Sequence, residues 1–309
     1  MKPVYLINGF LESGKTEFIT FTIAQPYFQI RGTTLILLCE EGEIEYDEKE
    51  LKRYRTVIER IEQESEFNPK NLMELEKKHK PERIIIEYNG MWNVKDMKLP
   101  IHWKLEQQIT TIDATTFPMY YTNMKSQLSE MLRKSEMIIM NRCDGITDLG
   151  SYKRNIKALN QKADIILENK DGEVDEIFED DLPYDLSQSE LILDNSSYGI
   201  WYLDSLDHIE RYEGKVITFI AQVLLPPGFV KGYFVPGRKA MTCCAEDITF
   251  LGFPCQYDGA DKLKNKQWVK VSATVHREYW KDFGGEGPVL HAVSVEGSKA
   301  PKEEVIGFS

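Results

Sequence analysis

The chain has 309 residues, 42% of them hydrophobic, and a formal net charge of −12. That length suits two domains, and the acid excess favours solubility and excludes a basic groove for single-stranded nucleic acid. No apolar run reaches the ~18–20 residues that cross a bilayer.

The opening stretch "MKPVYLINGF" has no small-residue cleavage site and runs straight into a glycine motif. It reads as a buried first strand, and a cytoplasmic location is expected. Six further apolar runs follow: "TTLILLC", "TVIER", "RIIIEY", "QITTID", "MIIMN" and "ADIILE". They lack strict alternation, as strands buried on both faces do. Between them lie helix-patterned stretches, among them "NPKNLMELEKKHKPE", whose start is expected at Asn71 and whose stop at Pro81. Strand–helix alternation predicts an α/β domain with a mainly parallel, doubly wound sheet over residues 1–188.

Immediately after the first strand stands "GFLESGKT", residues 9–16. Gly9 and Gly14 let the backbone turn its N–H groups toward a phosphate chain, with Glu12 and Ser13 inside the loop. Lys15 reaches the β- and γ-phosphates, and the Thr16 hydroxyl can ligate Mg²⁺. This octapeptide marks a P-loop. Late in the sheet, "MIIMNRCD" ends a strand on Asn141, Arg142, Cys143 and Asp144. The pattern is close to N-K-x-D, in which the Asp carboxylate accepts from guanine N1 and the 2-amino group. Adenine offers no such pair, so GTP is expected over ATP. Arg142 takes the place of the lysine and could stack on the base with its planar guanidinium.

Taken together, "VYLINGFLESGKT", "LLCEEGEIEYD", "RIIIEYNG", "QITTIDATTF" and "MIIMNRCDGI" resemble, in order, the motifs of the CobW-type metallochaperone GTPases related to UreG and HypB. The resemblance implies a GTP- and Mg²⁺-binding domain with slow, metal-modulated hydrolysis. It places Glu87 as the acid that positions Mg²⁺ through water, and Glu40 and Glu43 in a switch-like segment. The alternatives are a strand-end carboxylate in solvent for Glu87 and a solvated acidic loop for the other two. Two departures stand out. The family's C-x-C-C metal motif is missing, because "TVIERIEQESEFN" holds no cysteine, and "EYNG" replaces E-T-x-G.

Past residue 188 the pattern changes. Residues 189–195 read as a linker, and 196–309 as about five antiparallel strands with little helix, an OB-like β-barrel. This half carries 13 Lys and Arg against 14 Asp and Glu, so it is nearly neutral. "YEGKVITFIAQV", "MTCCAEDITFLGFPCQY" and "LKNKQWVKVSATV" resemble the C-terminal domain of YcgQ-type permease subunits, whose membrane segments are absent here. Five cysteines in a chain expected in the cytoplasm argue against a disulfide framework. Cys39 and Cys143 read as small buried residues. Cys243, Cys244 and Cys255, with Asp247 or His276, could form a soft Zn²⁺ site, or could be packed small residues of a tight barrel; His291 reads as a surface residue.

Two functions fit: a slow GTPase of metal trafficking, or a protein that holds GTP without turning it over and acts on a membrane permease or metalloprotein partner.

Overall fold

The computed structural model describes residues 1–174, 182–242 and 248–308. The chain forms two compact units, Met1–Leu149 with Lys162–Ile177, and Gly150–Gln161 with Phe178–Ser309.

All seven apolar runs of the first half are strands. They are β1 (Lys2–Asn8), β2 (Thr34–Leu38), β3 (Thr56–Arg60), β4 (Arg83–Glu87), β5 (Trp103–Asp113), β6 (Met137–Asn141) and β7 (Asp164–Asn169). They lie parallel in the order β3-β2-β4-β1-β5-β6-β7, and a short β8 (Gly172–Glu173) pairs antiparallel to β7. Every residue of β2 and β4 is buried, which is why these runs show no alternation. Val4, Leu6, Ile84 and Ile86 pack on one face, while Ile7, Ile36, Ile85 and Ile139 pack on the other. The strand order reverses beside β1, between β4 and β5. In open parallel sheets, ligands bind at the carboxyl ends of the strands at such a reversal.

Helix α1 (Lys15–Ala24) follows the glycine loop and buries Ile19 and Ile23 on the sheet. Two short helices follow in chain order, α2 (Glu48–Arg53) and then α3 (Pro69–His79). Asn68, not Asn71, starts α3: its side chain accepts from the amides of Lys70 and Asn71, and Pro69 supplies a pre-set φ at the first helical position. Farther along, two helices meet at Met124, α4 (Phe117–Asn123) and α5 (Lys125–Leu132). Helix α6 (Leu149–Leu159) lies almost wholly in the second unit, although it precedes the boundary expected at 188.

In the second unit, residues 189–195 are more than a linker. They contain β9 (Glu190–Ile192), parallel to β10 (Val216–Leu224), with Leu191 buried. An unexpected helix, α7 (Tyr198–Asp207), buries Tyr198, Ile200, Trp201 and Leu203. The remaining strands are β11 (Tyr233–Met241), β12 (Ile248–Gly252), β13 (Cys255–Gln256), β14 (Trp268–Trp280), β15 (Gly285–Gly297) and β16 (Val305–Ile306). Pairings run β10-β14-β15-β13-β11 and back to β10, so the strands close into a ring. Within that ring the β13–β15 pair alone is parallel.

Trp201 has no exposed surface, and its ring lies 5.6 Å from Phe219 and 5.4 Å from Phe253. Trp201→Ala is therefore expected to destabilise the second unit by about 3–5 kcal/mol through lost burial and an unfilled cavity. Urea unfolding followed by circular dichroism measures it. A change below about 1 kcal/mol would show that this helix does not organise the core.

Candidate nucleotide site

The loop between β1 and α1 owes its path to two glycines. Gly9 has φ +144° and Gly14 φ +92°, both outside the range of an ordinary side chain. A Cβ on Gly9 would strike the Thr111 carbonyl, and one on Gly14 would come within 2.5 Å of Asn141 Nδ2. Gly14 caps α1 without any side-chain hydrogen bond, which leaves the first amides turned toward a small cleft of about 20 Å³. The helix dipole favours an anion at that end.

Lys15 projects into this cleft and is only 4% exposed. Its ammonium donates to the carbonyls of Gly9 (3.0 Å) and Phe10 (2.9 Å) and to Glu40 Oε2 (2.6 Å). Glu40 follows β2, so a charge pair spans the space the loop encloses. Thr16 Oγ1 donates to Glu87 Oε1 at 2.8 Å, and the hydroxyl of Tyr46 donates to Glu87 Oε2. Glu87 ends β4 and is 2% exposed. Burial pushes its carboxyl above the ordinary carboxylate range, against the opposing pull of the Tyr46 and Thr16 hydroxyls and the Lys15 ammonium. The Thr16 hydroxyl and the Glu87 carboxylate are hard oxygen donors, a set that fits Mg²⁺.

A second cavity of about 470 Å³ opens beside the loop, lined by Gly14, Phe18, Asn141, Arg142, Asp144 and Lys170. Its volume is in the range of small-molecule sites. Asn141 Nδ2 donates to the Ser13 carbonyl at 2.8 Å, while its Oδ1 is buried without a hydrogen-bond partner. Asp144 Oδ2 accepts from the Lys170 amide at 3.2 Å. The structure thus brings Asn141 and Asp144 to the same wall as Gly14. Arg142 lines the same cavity, and its Nη1 donates to Asp113 Oδ2 (2.5 Å) and to the Glu12 carbonyl (2.9 Å).

Glu12 does more than occupy the loop. It sits at φ +60°, and its carboxylate accepts from the Glu43 amide at 2.7 Å, tying the loop to the acidic segment after β2. Glu40 is partly buried against Lys15, while Glu43 is exposed in the irregular stretch after β2, as in a solvated loop. Tyr88, the aromatic of "EYNG", turns away from the cleft and packs edge-on against Phe67 (5.4 Å) and Trp92 (5.6 Å). Tyr46 and Asp113 escaped the sequence reading. Asp113 alone had a signal, its place at a strand end.

Cys39 and Cys143 are buried, and burial pushes both thiols up. Cys243, Cys244 and Asp247 lie outside the described residues. Cys255 has no exposed surface and sits in the apolar core of the ring. His276 occupies the outward series of β14, beside His291 (ring centroids 4.6 Å apart) and Glu213 (3.1 Å), so it does not meet Cys255. Among the described residues no group of three His, Cys, Asp or Glu could hold a metal, and no helix is long and apolar enough to cross a membrane.

Residues 3–167 match the family described as CobW/HypB/UreG, nucleotide-binding domain, and residues 169–306 match the DUF1980 C-terminal domain. No curated protein matches the chain. Among solved structures, the hydrogenase maturation factor HypB from Archaeoglobus fulgidus is 18% identical with a TM-score of 0.41, covering 54% of this chain and 81% of its own. The Zn(II)-bound YjiA GTPase from E. coli is 14% identical with a TM-score of 0.40, covering 87% of this chain and 92% of its own.

Proposed function

We propose that this chain, which belongs to the CobW/HypB/UreG family, is a cytoplasmic GTP-binding protein that hydrolyses GTP slowly with Mg²⁺ and serves metal trafficking, zinc in particular. One observation carries the reading: the Lys15–Thr16–Glu87 cluster and the Asn141–Asp144 wall open on either side of Gly14. A molecule with phosphates at one end and a base at the other fits that layout.

Lys15 would exchange Glu40 for β- and γ-phosphate oxygens. Thr16 and, through water, Glu87 would hold Mg²⁺, which supplies charge neutralisation for phosphoryl transfer to water. Asp144 would accept from the guanine edge, and Asn141 would reach the base while bracing Ser13. No side chain is assigned as general base, and slow turnover needs none. The ring of the second unit is read as an OB-like barrel, nearly neutral and therefore unsuited to nucleic acid. A metal would sit on the second unit's Cys243 or Cys244, and the client is a metalloprotein or a membrane permease.

A second reading is a protein that holds GTP without turning it over, favoured by "EYNG" in place of E-T-x-G and by the missing C-x-C-C motif. Calorimetry with GTP and ATP, followed by GTP turnover with Mg²⁺ under Zn²⁺ titration, separates these readings. The expected result is GTP binding at least about tenfold tighter than ATP, since Asp144 rejects a base lacking its donors. Turnover should rise with zinc and be lost in Lys15→Ala and Cys243→Ser. Tight GTP binding with no turnover at any zinc level leaves the non-hydrolysing reading, and equal affinity for ATP removes the guanine assignment.

A further inference from the structure

Three loops meet at one guanidinium. Arg142 Nη1 donates both to Asp113 Oδ2 at the end of β5 and to the Glu12 carbonyl in the phosphate loop, while Nη2 lies 3.5 Å from Glu17 Oε2 at the start of α1. The backbone is arranged to allow this. Arg142 has φ +55° and Glu12 φ +60°, two non-glycine residues in the left-handed region, facing each other across the same side chain. Such conformations persist only where the surroundings over-determine them.

Asp113 is the fixed end of the arrangement. It is 8% exposed, and its Oδ1 accepts from both the amide (2.8 Å) and the hydroxyl (2.6 Å) of Thr115. Burial pushes its carboxyl up, but the bonds from Thr115 and Arg142 outweigh that and hold it below the ordinary carboxylate range. The carboxylate is therefore charged and aimed at Arg142 at neutral pH. Two further bonds link the same loops: Asn141 Nδ2 to the Ser13 carbonyl, and the Ala114 amide to the Asn141 carbonyl at 3.0 Å.

We propose that Asp113 is a positioning residue for base recognition: through Arg142 it fixes the distance between the phosphate loop and Asp144. This rests on the guanine-nucleotide reading above. A nucleotide held at both ends is discriminated by its base only if the two ends are rigidly spaced, since a 1 Å error at the base edge costs the bidentate contact. Asp113 touches no part of the nucleotide in this scheme. Without it, the guanidinium can move to Glu17, and the loop carrying Asp144 keeps the Asn141–Ser13 bond as its tie to the phosphate end but loses the fixed guanidinium beside it.

The test is competitive displacement of a fluorescent GTP analogue by GTP and ATP from the full chain. The variants are Asp113→Asn, Arg142→Gln, their double mutant and Arg142→Lys. Asp113→Asn keeps the Thr115 bonds and the residue's volume, and thermal melting checks that each variant folds. The expected result is about a tenfold loss of GTP affinity in each single variant, as for a lost charge-assisted bond. ATP affinity changes far less, so the GTP-to-ATP ratio falls. The double variant is no weaker than either single, and Arg142→Lys recovers part of the ratio. Equal losses for GTP and ATP, or single effects that simply add, would overturn the proposal and leave a role confined to the phosphate loop. No binding of guanine nucleotide by the unmodified chain would sink the underlying reading as well, and that result is distinct from the others.

Discussion

Lys15→Ala is expected to lower GTP affinity by at least about a hundredfold and to abolish turnover. Lys15 supplies the ammonium of a cleft whose walls also carry Glu12, Glu17, Glu40 and Glu87. Removing it subtracts the charge that phosphate oxygens would meet. It also leaves Glu40 and Glu87, with side chains 9% and 2% exposed, without their countercharge. Breaking a buried pair by deleting one partner costs roughly 3–5 kcal/mol of stability, while in binding each 1.4 kcal/mol is about tenfold in affinity. Two penalties thus act in one direction: a lost attraction, and a new repulsion from freed carboxylates. Lys15→Ala with Glu40→Gln separates them, because the double variant regains the part of the affinity lost to repulsion and not the part lost with the ammonium. Isothermal titration of both variants measures the two parts. GTP affinity within tenfold of the unmodified chain would show that the phosphates are held elsewhere.

The phosphate loop was legible because its requirement is local. Two glycines at fixed spacing, a preceding buried run and a following helix each constrain the backbone by themselves, and Gly9 and Gly14 adopt the positive φ that this demands. The parallel sheet was legible for the same reason, since β2 and β4 are apolar along their whole length. Asn141 and Asp144 could be found because a strand end fixes where the next residues point.

What escaped depends on contacts made across the chain. Tyr46 and Glu87 are 41 residues apart, and Asp113 and Arg142 are 29 apart. Nothing in "EEGEIEYD" tells Tyr46 from any other exposed aromatic. The bond from Arg142 to Asp113 went unseen because its acceptor lies at the end of a different strand. In the second unit, "YGIWYLDSLD" is rich in aromatics and apolar on nearly every side, a composition that suits a strand as well as a buried helix. "ELI" between polar residues is too short to read as a strand until β10 is beside it. Asn71 stands next to the amphipathic run, yet the helix starts earlier, at Asn68, because proline at position 69 is at home as the first helical residue.

Glu87→Gln is expected to lower Mg²⁺-dependent GTP turnover by about a hundredfold or more, the scale of losing a charged group that supports the transition state, while making the nucleotide-free protein more stable. The two effects share one cause. Burial holds the Glu87 carboxyl above its ordinary value of 4.5, so the native state keeps this proton to a higher pH than the unfolded chain does. Between those two values the native state binds more protons, and stability therefore falls as pH rises across that window. Above it, the folded protein holds a buried carboxylate whose cost Tyr46 and Thr16 only partly offset. Glutamine accepts from one of the two hydroxyls through its Oε1, donates to the other through its Nε2, and carries no titrating proton. The variant should melt a few degrees higher at neutral pH and show a shallower loss of stability from pH 4.5 upward. Tyr46→Phe should do the reverse, since it removes a donor to the charged form and pushes the Glu87 carboxyl higher still. Melting curves across pH for the three proteins, with turnover measured in parallel, decide the matter. Unchanged turnover in Glu87→Gln would remove Glu87 from the Mg²⁺ site, and a pH slope equal to that of the unmodified chain would show that the buried carboxylate is not what limits stability. The combination expected, a more stable fold with a disabled reaction, is what a charge kept in the core for function produces.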